Sequence, residues 1–101
     1  MAEPAPASPF LPTPYRIRRR RRETADTWTL ELEPAAGGEA FHFAPGQFTM
    51  AYAFGAGEVP ISISGDPGRP DRLVHTIRVA GATTQAICSL KRGGVLGIRG
   101  P

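Results

Sequence analysis

From Asp26 to Glu33 the chain alternates strictly. Trp28, Leu30 and Leu32 fall on one face, and Thr27, Thr29, Glu31 and Glu33 on the other. A period of two is the mark of a strand with one buried face. The same test predicts strands over residues 47–54 and 73–79, while 15–23, which holds no turn residue, and 95–99 read as further strands. In 47–54, Phe48, Met50, Tyr52 and Phe54 share a face. In 73–79, Leu73, His75, Ile77 and Val79 share one face, and Val74, Thr76 and Arg78 the other. A sixth strand lies within 58–66, where Ile61 and Ile63 alternate with Ser62 and Ser64. Short connections separate these runs: Thr24-Ala25, a loop at 34–39, Pro45-Gly46, Gly55 to Gly57, and a turn from Pro67 to Asp71. The one helix candidate is 84–90, with Ala86, Ile87 and Leu90 as its apolar stripe. Gly81-Ala82-Thr83-Thr84 leads into it with a threonine as N-cap, and Gly93-Gly94 ends it. Six short antiparallel strands and one late helix predict an all-β fold, a small closed barrel.

With 101 residues the chain has room for one small domain, and its 11 prolines and 12 glycines favour short strands over long helices. Residues 1–14 hold five of those prolines and read as a flexible tail, with Phe10 and Leu11 available to pin it. The domain then runs over 15–101. Formal net charge is +3, but six of the twelve cationic residues fall between Arg16 and Arg22, so the basicity is local. The run Arg18 to Arg22 has two readings. It is a charged edge strand whose inward arginines snorkel, or a phosphate-binding patch. No aromatic residue interleaves with the arginines as a stacking platform requires, which favours the first. The single cysteine, Cys88, excludes an intrachain disulfide, and a zinc or iron–sulfur site built from this chain alone. Lying between Ile87 and Leu90, it reads as a packing residue. His42 has no partner at metal-ligand spacing, so no metal site is expected. No apolar run approaches membrane-spanning length, and the N-terminus lacks a signal-peptide core, so a cytoplasmic protein is expected.

The candidate chemistry gathers on adjacent strands. A serine face is unusual, since serine is a poor strand former and fills little space. It reads as a plain exposed surface or as a bed for a flat polar ligand. The next strand presents Thr76 and Arg78, and Gly81 to Thr84 offers free backbone N–H groups at a helix start. Together these suit a ligand with a ring at one end and a phosphate at the other. Singly, each is common, and an arginine on a strand is usually just solvated.

Several segments carry a resemblance. They are Pro14-Tyr15-Arg16-Ile17, Glu23-Thr24-Ala25-Asp26-Thr27, Phe43-Ala44-Pro45-Gly46-Gln47-Phe48, Val59-Pro60-Ile61-Ser62-Ile63-Ser64, Thr76-Ile77-Arg78-Val79-Ala80-Gly81 and Leu96-Gly97-Ile98-Arg99-Gly100-Pro101. In this order the chain resembles the flavin-binding barrel of the ferredoxin–NADP⁺ reductase superfamily. It is most similar to the gamma subunits of hydrogenases and sulfhydrogenases and to the electron-transfer subunit of dihydroorotate dehydrogenase. The resemblance implies a six-stranded antiparallel Greek-key barrel with one short capping helix. It implies FAD over the fourth and fifth strands, with the pyrophosphate at the helix start. Carried over by position, the contacts would be Val59, Pro60, Ile61 and Ser62, with Ser62 beside the flavin's reactive edge. Thr76, Ile77 and Arg78 would follow, then Gly81, Thr83 and Thr84 on the phosphate side.

Two departures matter. The family motif of arginine, any residue, tyrosine, then serine or threonine reads here Val59-Pro60-Ile61-Ser62. Isoleucine can still cover a ring face, and Arg78 becomes the phosphate partner. The nicotinamide-binding domain that follows the barrel in the family is absent after residue 101, so the chain is expected to be a truncated piece of a longer enzyme. The implied function is the FAD-binding domain of an electron-transfer oxidoreductase. It would work with an NAD(P)-binding domain or subunit and an iron–sulfur or hydrogenase-type redox partner. The alternative is a small basic barrel that binds no flavin and serves as an interaction or nucleic-acid module; the arginine run argues only weakly for nucleic acid.

Overall fold

The computed structural model describes residues 11–38, 40, 42–66, 68 and 72–100. The tail through Phe10, Pro67 and Asp71 of the expected turn, and Pro101 lie outside them. Six strands and one helix follow in chain order: β1 (Thr13–Arg22), β2 (Thr27–Pro34), β3 (Phe48–Ala53), β4 (Gly57–Ser62), β5 (Leu73–Arg78), α1 (Ala82–Cys88) and β6 (Val95–Arg99). The strand order is β4-β3-β6-β1-β2-β5, and every neighbouring pair is antiparallel. Strands adjacent in space but not in sequence give this order its Greek-key character. The two outer strands meet through one bridge, Ile63 with His75, which makes a nearly closed barrel of the sheet. The all-β barrel expected from the alternation is the observed fold.

Inner faces supply the core. Leu30 and Leu32 of β2, Leu73 and Ile77 of β5, Leu96 and Ile98 of β6, and Tyr15 and Ile17 of β1 are buried together with Ile87 of the helix. Cys88 is buried among them, as its position beside Ile87 suggested. In β3 the aromatic face turns outward instead. Thr49, Ala51 and Ala53 are buried, while Phe48 is 53% exposed. Small inner side chains leave room for α1, which packs against β3, β4 and β5.

The arginine run is not simply an edge strand. The first half of β1 is flanked by β6 and β2. Beyond Ile17, whose N–H and carbonyl bond Gly94 and Gly93, β2 alone among the described strands pairs with it. A bulge at Arg18 shifts the register there, so Arg19 faces Glu31 and Arg20 faces Leu30. Such an extra residue re-aims the side chains after it. Arg20 is thereby laid over Trp28, its guanidinium carbon 3.9 Å from the ring centroid, and its Nη2 donates to the Cys88 carbonyl at 2.6 Å. That carbonyl belongs to the last turn of α1, which lacks an intrahelical partner.

The helix starts two residues earlier than the apolar stripe suggested, and its N-cap is Gly81 rather than a threonine. Thr84, in the first turn, accepts the N–H groups of Ala80 (2.8 Å) and Gly81 (3.0 Å) and donates to the Gly81 carbonyl. A side chain reaching back in this way closes the start of the helix without a capping residue ahead of it.

Gly97 sits where β6 passes under the chain's entry into β1. A Cβ placed there would lie 2.6 Å from the Pro12 Cβ and 3.3 Å from the Tyr52 Cβ. Overpacking of this kind costs about 1–3 kcal/mol. Gly97→Ala is therefore expected to lower the denaturation midpoint in a urea titration; an unchanged midpoint would show that Pro12 yields freely.

Candidate functional site

The outer face of β2, β5 and the end of β4 carries a row of hydroxyls. Thr29 and Thr76 lie 3.0 Å apart, oxygen to oxygen, and Thr76 and Ser64 3.3 Å. Ser64 also donates to the Val74 carbonyl at 3.2 Å. Ser62, two residues back along the chain, is exposed on the same side. Alternation puts these hydroxyls out because Ile61 and Ile63 go in.

The sequence-derived residues divide into two sets. Pro60, Ser62, Thr76, Arg78 and Gly81 are exposed. Ile61, Ile77 and Thr84 are buried, and Val59 and Thr83 are half-buried. Ile61 packs in the core, opposite Thr49, so the apolar surface next to Ser62 is Pro60 and the exposed cross-strand neighbour Phe48. Ile77 and Thr84 can act on a ligand only through backbone groups or by holding the surface residues. Thr83 donates to the Ala56 carbonyl at 3.0 Å and ties the helix start to the β3–β4 turn. Thr84 spends its hydroxyl on Ala80 and Gly81. Around Gly81 itself the space is open, and a Cβ there would touch nothing within 4 Å.

Arg78 is 78% exposed, and its Nε lies 3.3 Å from Asp26 Oδ2. Thr24 and then Arg78 hold the Asp26 carboxyl below its usual range by hydrogen bonding. The arginines of β1 are mostly committed within the protein. Arg16 pairs with Glu33, Arg19 with Glu31 and Arg21 with Glu23, while Arg22 donates to the carbonyls of Thr24 and Ala25. The arrangement that the phosphate-patch reading needs, a row of uncommitted cations, is not what the ribbon presents.

The seam between β4 and β5 is where sequence reasoning saw least. His75 is fully buried, and its Nδ1 lies 2.9 Å from the Ser62 carbonyl while its Nε2 lies 2.9 Å from the Thr49 hydroxyl. A carbonyl only accepts, so Nδ1 carries the proton, and neutral Nε2 accepts from Thr49. The chain alone carried no signal for this, because alternation sets Thr49 opposite the aromatic face of its strand, and only the outward turn of that face brings Thr49 inside with His75. Among the described residues no cluster of potential metal ligands occurs, and no helix is long and apolar enough to cross a membrane.

A nearly closed six-stranded antiparallel barrel with a helix packed against its outer strands and a hydroxyl-lined seam is the architecture of ferredoxin reductase-like flavin domains, and this chain has the same fold. Its relatives include sulfhydrogenase gamma subunits and dihydroorotate dehydrogenase electron transfer subunits. It is 38% identical over 79 residues to the sulfhydrogenase 1 gamma subunit of Pyrococcus furiosus, an alignment covering 78% of this chain and 27% of that protein. It is 33% identical over 90 residues to a probable dihydroorotate dehydrogenase B (NAD(+)) electron transfer subunit of Methanopyrus kandleri, covering 89% and 32%. The chain thus spans about a third or less of the curated relatives it matches. Among solved structures, phthalate dioxygenase reductase superposes with a TM-score of 0.76 over 92% of this chain and 31% of that one, at 15% identity, which is a likeness of fold. No family model matches the chain.

Burial lowers the His75 pKa below its usual 6.5, against the opposing pull of the Ser62 carbonyl. The unfolded chain takes up its proton near 6.5 and the folded protein only at lower pH. The stability contributed by neutral His75 is therefore complete above 6.5 and is lost as pH falls through the folded value. The melting temperature is expected to drop between pH 7 and 5, and His75→Asn should remove most of that slope. Glu23, Asp26 and Glu58, whose pKa values are also lowered, add losses only at more acid pH. A slope unchanged in the variant would assign it elsewhere.

Proposed function

We propose that this chain is the FAD-binding module of an electron-transfer oxidoreductase, holding the cofactor across the outer face of β4 and β5. The observation that carries this reading is the exposed set Ser62, Thr76 and Arg78 beside the barrel's seam, with open space at Gly81, in a chain whose relatives include electron transfer subunits. These residues fit the group. Hydroxyls and Pro60 offer a polar and apolar bed for a flat ring, and Arg78 offers charge for a pyrophosphate. The first-turn N–H groups of α1 have no partner within the helix and suit the same phosphates.

When bound, the flavin would accept a hydride and release electrons singly. The chain's residues bind and orient. Ser62 presents a hydroxyl to the reactive edge, Thr76 holds the adjoining strand edge, and Arg78 neutralises phosphate charge. Thr83 and Thr84 fix the helix start, and Val59, Ile61 and Ile77 support the bed from beneath. The electron source would be NAD(P)H on a nicotinamide-binding domain or subunit, and the acceptor an iron–sulfur or hydrogenase-type partner, all in the cytoplasm. The support for partners is the company kept by the relatives, which are named as subunits.

FAD titration followed by flavin fluorescence tests the reading. Binding to the 101-residue chain should be weak, since no arginine stands at Val59. Arg78→Ala should weaken it further, by about 1.5–3 kcal/mol for a charged contact. Its effect on the ligand-free fold should be small, because the exposed pair with Asp26 contributes little. Asp26→Asn, which frees Arg78, should tighten binding. Arg21→Ala serves as the control; Arg20 is unsuitable, because its side chain braces Trp28 and the end of α1. Equal losses at Arg78 and Arg21, or a chain that takes up no FAD at all, would overturn the proposal.

A further inference from the structure

We propose that His75 is a positioning residue that sets the Ser62 peptide for the ligand on the outer face, through a side-chain bond from the core to the Ser62 carbonyl. The inference rests on the flavin reading for what the ligand is, and on the seam for how His75 acts.

The peptide between Ser62 and Ile63 is gripped from both sides. Its N–H, on Ile63, donates to the Gln47 carbonyl at 3.0 Å, and its carbonyl, on Ser62, accepts from His75 Nδ1 at 2.9 Å. Here β4 and β5 form no ladder. They share the Ile63–His75 bridge and the bond from the Ser64 N–H to the Val74 carbonyl at 3.0 Å. The His75 ring adds a side-chain donor at this bridge. Because the Thr49 hydroxyl occupies Nε2, the ring is held in one tautomer and one orientation. Ser62 thus has its carbonyl fixed inward by a buried ring while its side chain stands exposed on the ligand face. An apolar residue at 75 would fill the same volume and remove the side-chain bonds to the Ser62 carbonyl and the Thr49 hydroxyl.

Two substitutions separate positioning from packing. The amide of His75→Asn reaches the place of Nδ1 and keeps the donor to Ser62. That of His75→Gln reaches the place of Nε2 and keeps only the contact with Thr49. Both should lose stability to a similar degree. FAD affinity should stay near that of the unsubstituted chain in His75→Asn and fall about tenfold in His75→Gln, the scale of one lost hydrogen bond. In ligand-free protein, the carbonyl ¹³C shift of Ser62 should move in the Gln variant and not in the Asn variant, and imidazole ¹⁵N shifts should report the proton on Nδ1. Equal affinity losses in both variants, no loss in either, or a proton on Nε2 would overturn the proposal. If the unsubstituted chain binds no FAD, the flavin reading fails. The role of His75 at Ser62 is then decided by the ¹³C shifts, where equal behaviour of the two variants counts against it. If neither variant folds, FAD added to the unsubstituted chain should shift the His75 Nδ1 resonance, and an unmoved resonance overturns the inference.

Discussion

A sheet of six short strands becomes a barrel only where its first and last strands meet, and in this chain they meet at Ile63 and His75. Elsewhere along the seam the facing edges are not laddered. Closing the seam fully would remove the edge, but it would also take up backbone groups that a ligand on that face can use. The compromise is a narrow closure at one end and a helix at the other. α1 packs against β3, β4 and β5, and its first turn is bound to the β3–β4 turn by Thr83 and to the end of β5 by Thr84. The seam is therefore rigid without being sealed, which is what a binding face on a small scaffold requires.

The same economy governs the polar residues that alternation pushes inward. His75 and Thr49 answer one another across the barrel. Arg20 is answered by the Trp28 ring and the Cys88 carbonyl, which lets a cation lie over the end of the core. Its placement depends on the bulge at Arg18. Five consecutive arginines put cations on both faces of any strand, and the extra residue selects which of them meets Trp28. Along the ribbon Arg16, Arg19 and Arg21 pair with Glu33, Glu31 and Glu23. Exposed pairs of this kind contribute little to stability, and their effect is to neutralise the charge that made the run conspicuous.

Much of this was legible in the chain. The strand number, the late helix, the inward positions of β2 and β5, and the burial of Cys88 follow from alternation and from the company of apolar neighbours, both of which are local properties. So is the coexistence of Ser62, Thr76 and Arg78 on outward positions. Less legible was the division of the flavin-motif residues: Ile61 reads as a ring-covering side chain in a motif alignment, yet its parity with Ile63 sends it into the core.

By itself, the sequence determined which residues alternate and so which strands can form, because a period of two is fixed by backbone geometry. The tertiary structure decided everything that depends on which strand lies beside which. The aromatic face of β3 points outward because α1 occupies the space beneath Thr49, Ala51 and Ala53, a fact of packing between segments some thirty residues apart in sequence. Arg18 bulges where β1 parts from β6 and continues paired with β2 alone. His75 gained a role only when closure of the barrel brought Ser62 and Thr49 to its two nitrogens, since hydrogen bonds of about 2.9 Å are set by three-dimensional approach and leave no trace in spacing along the chain.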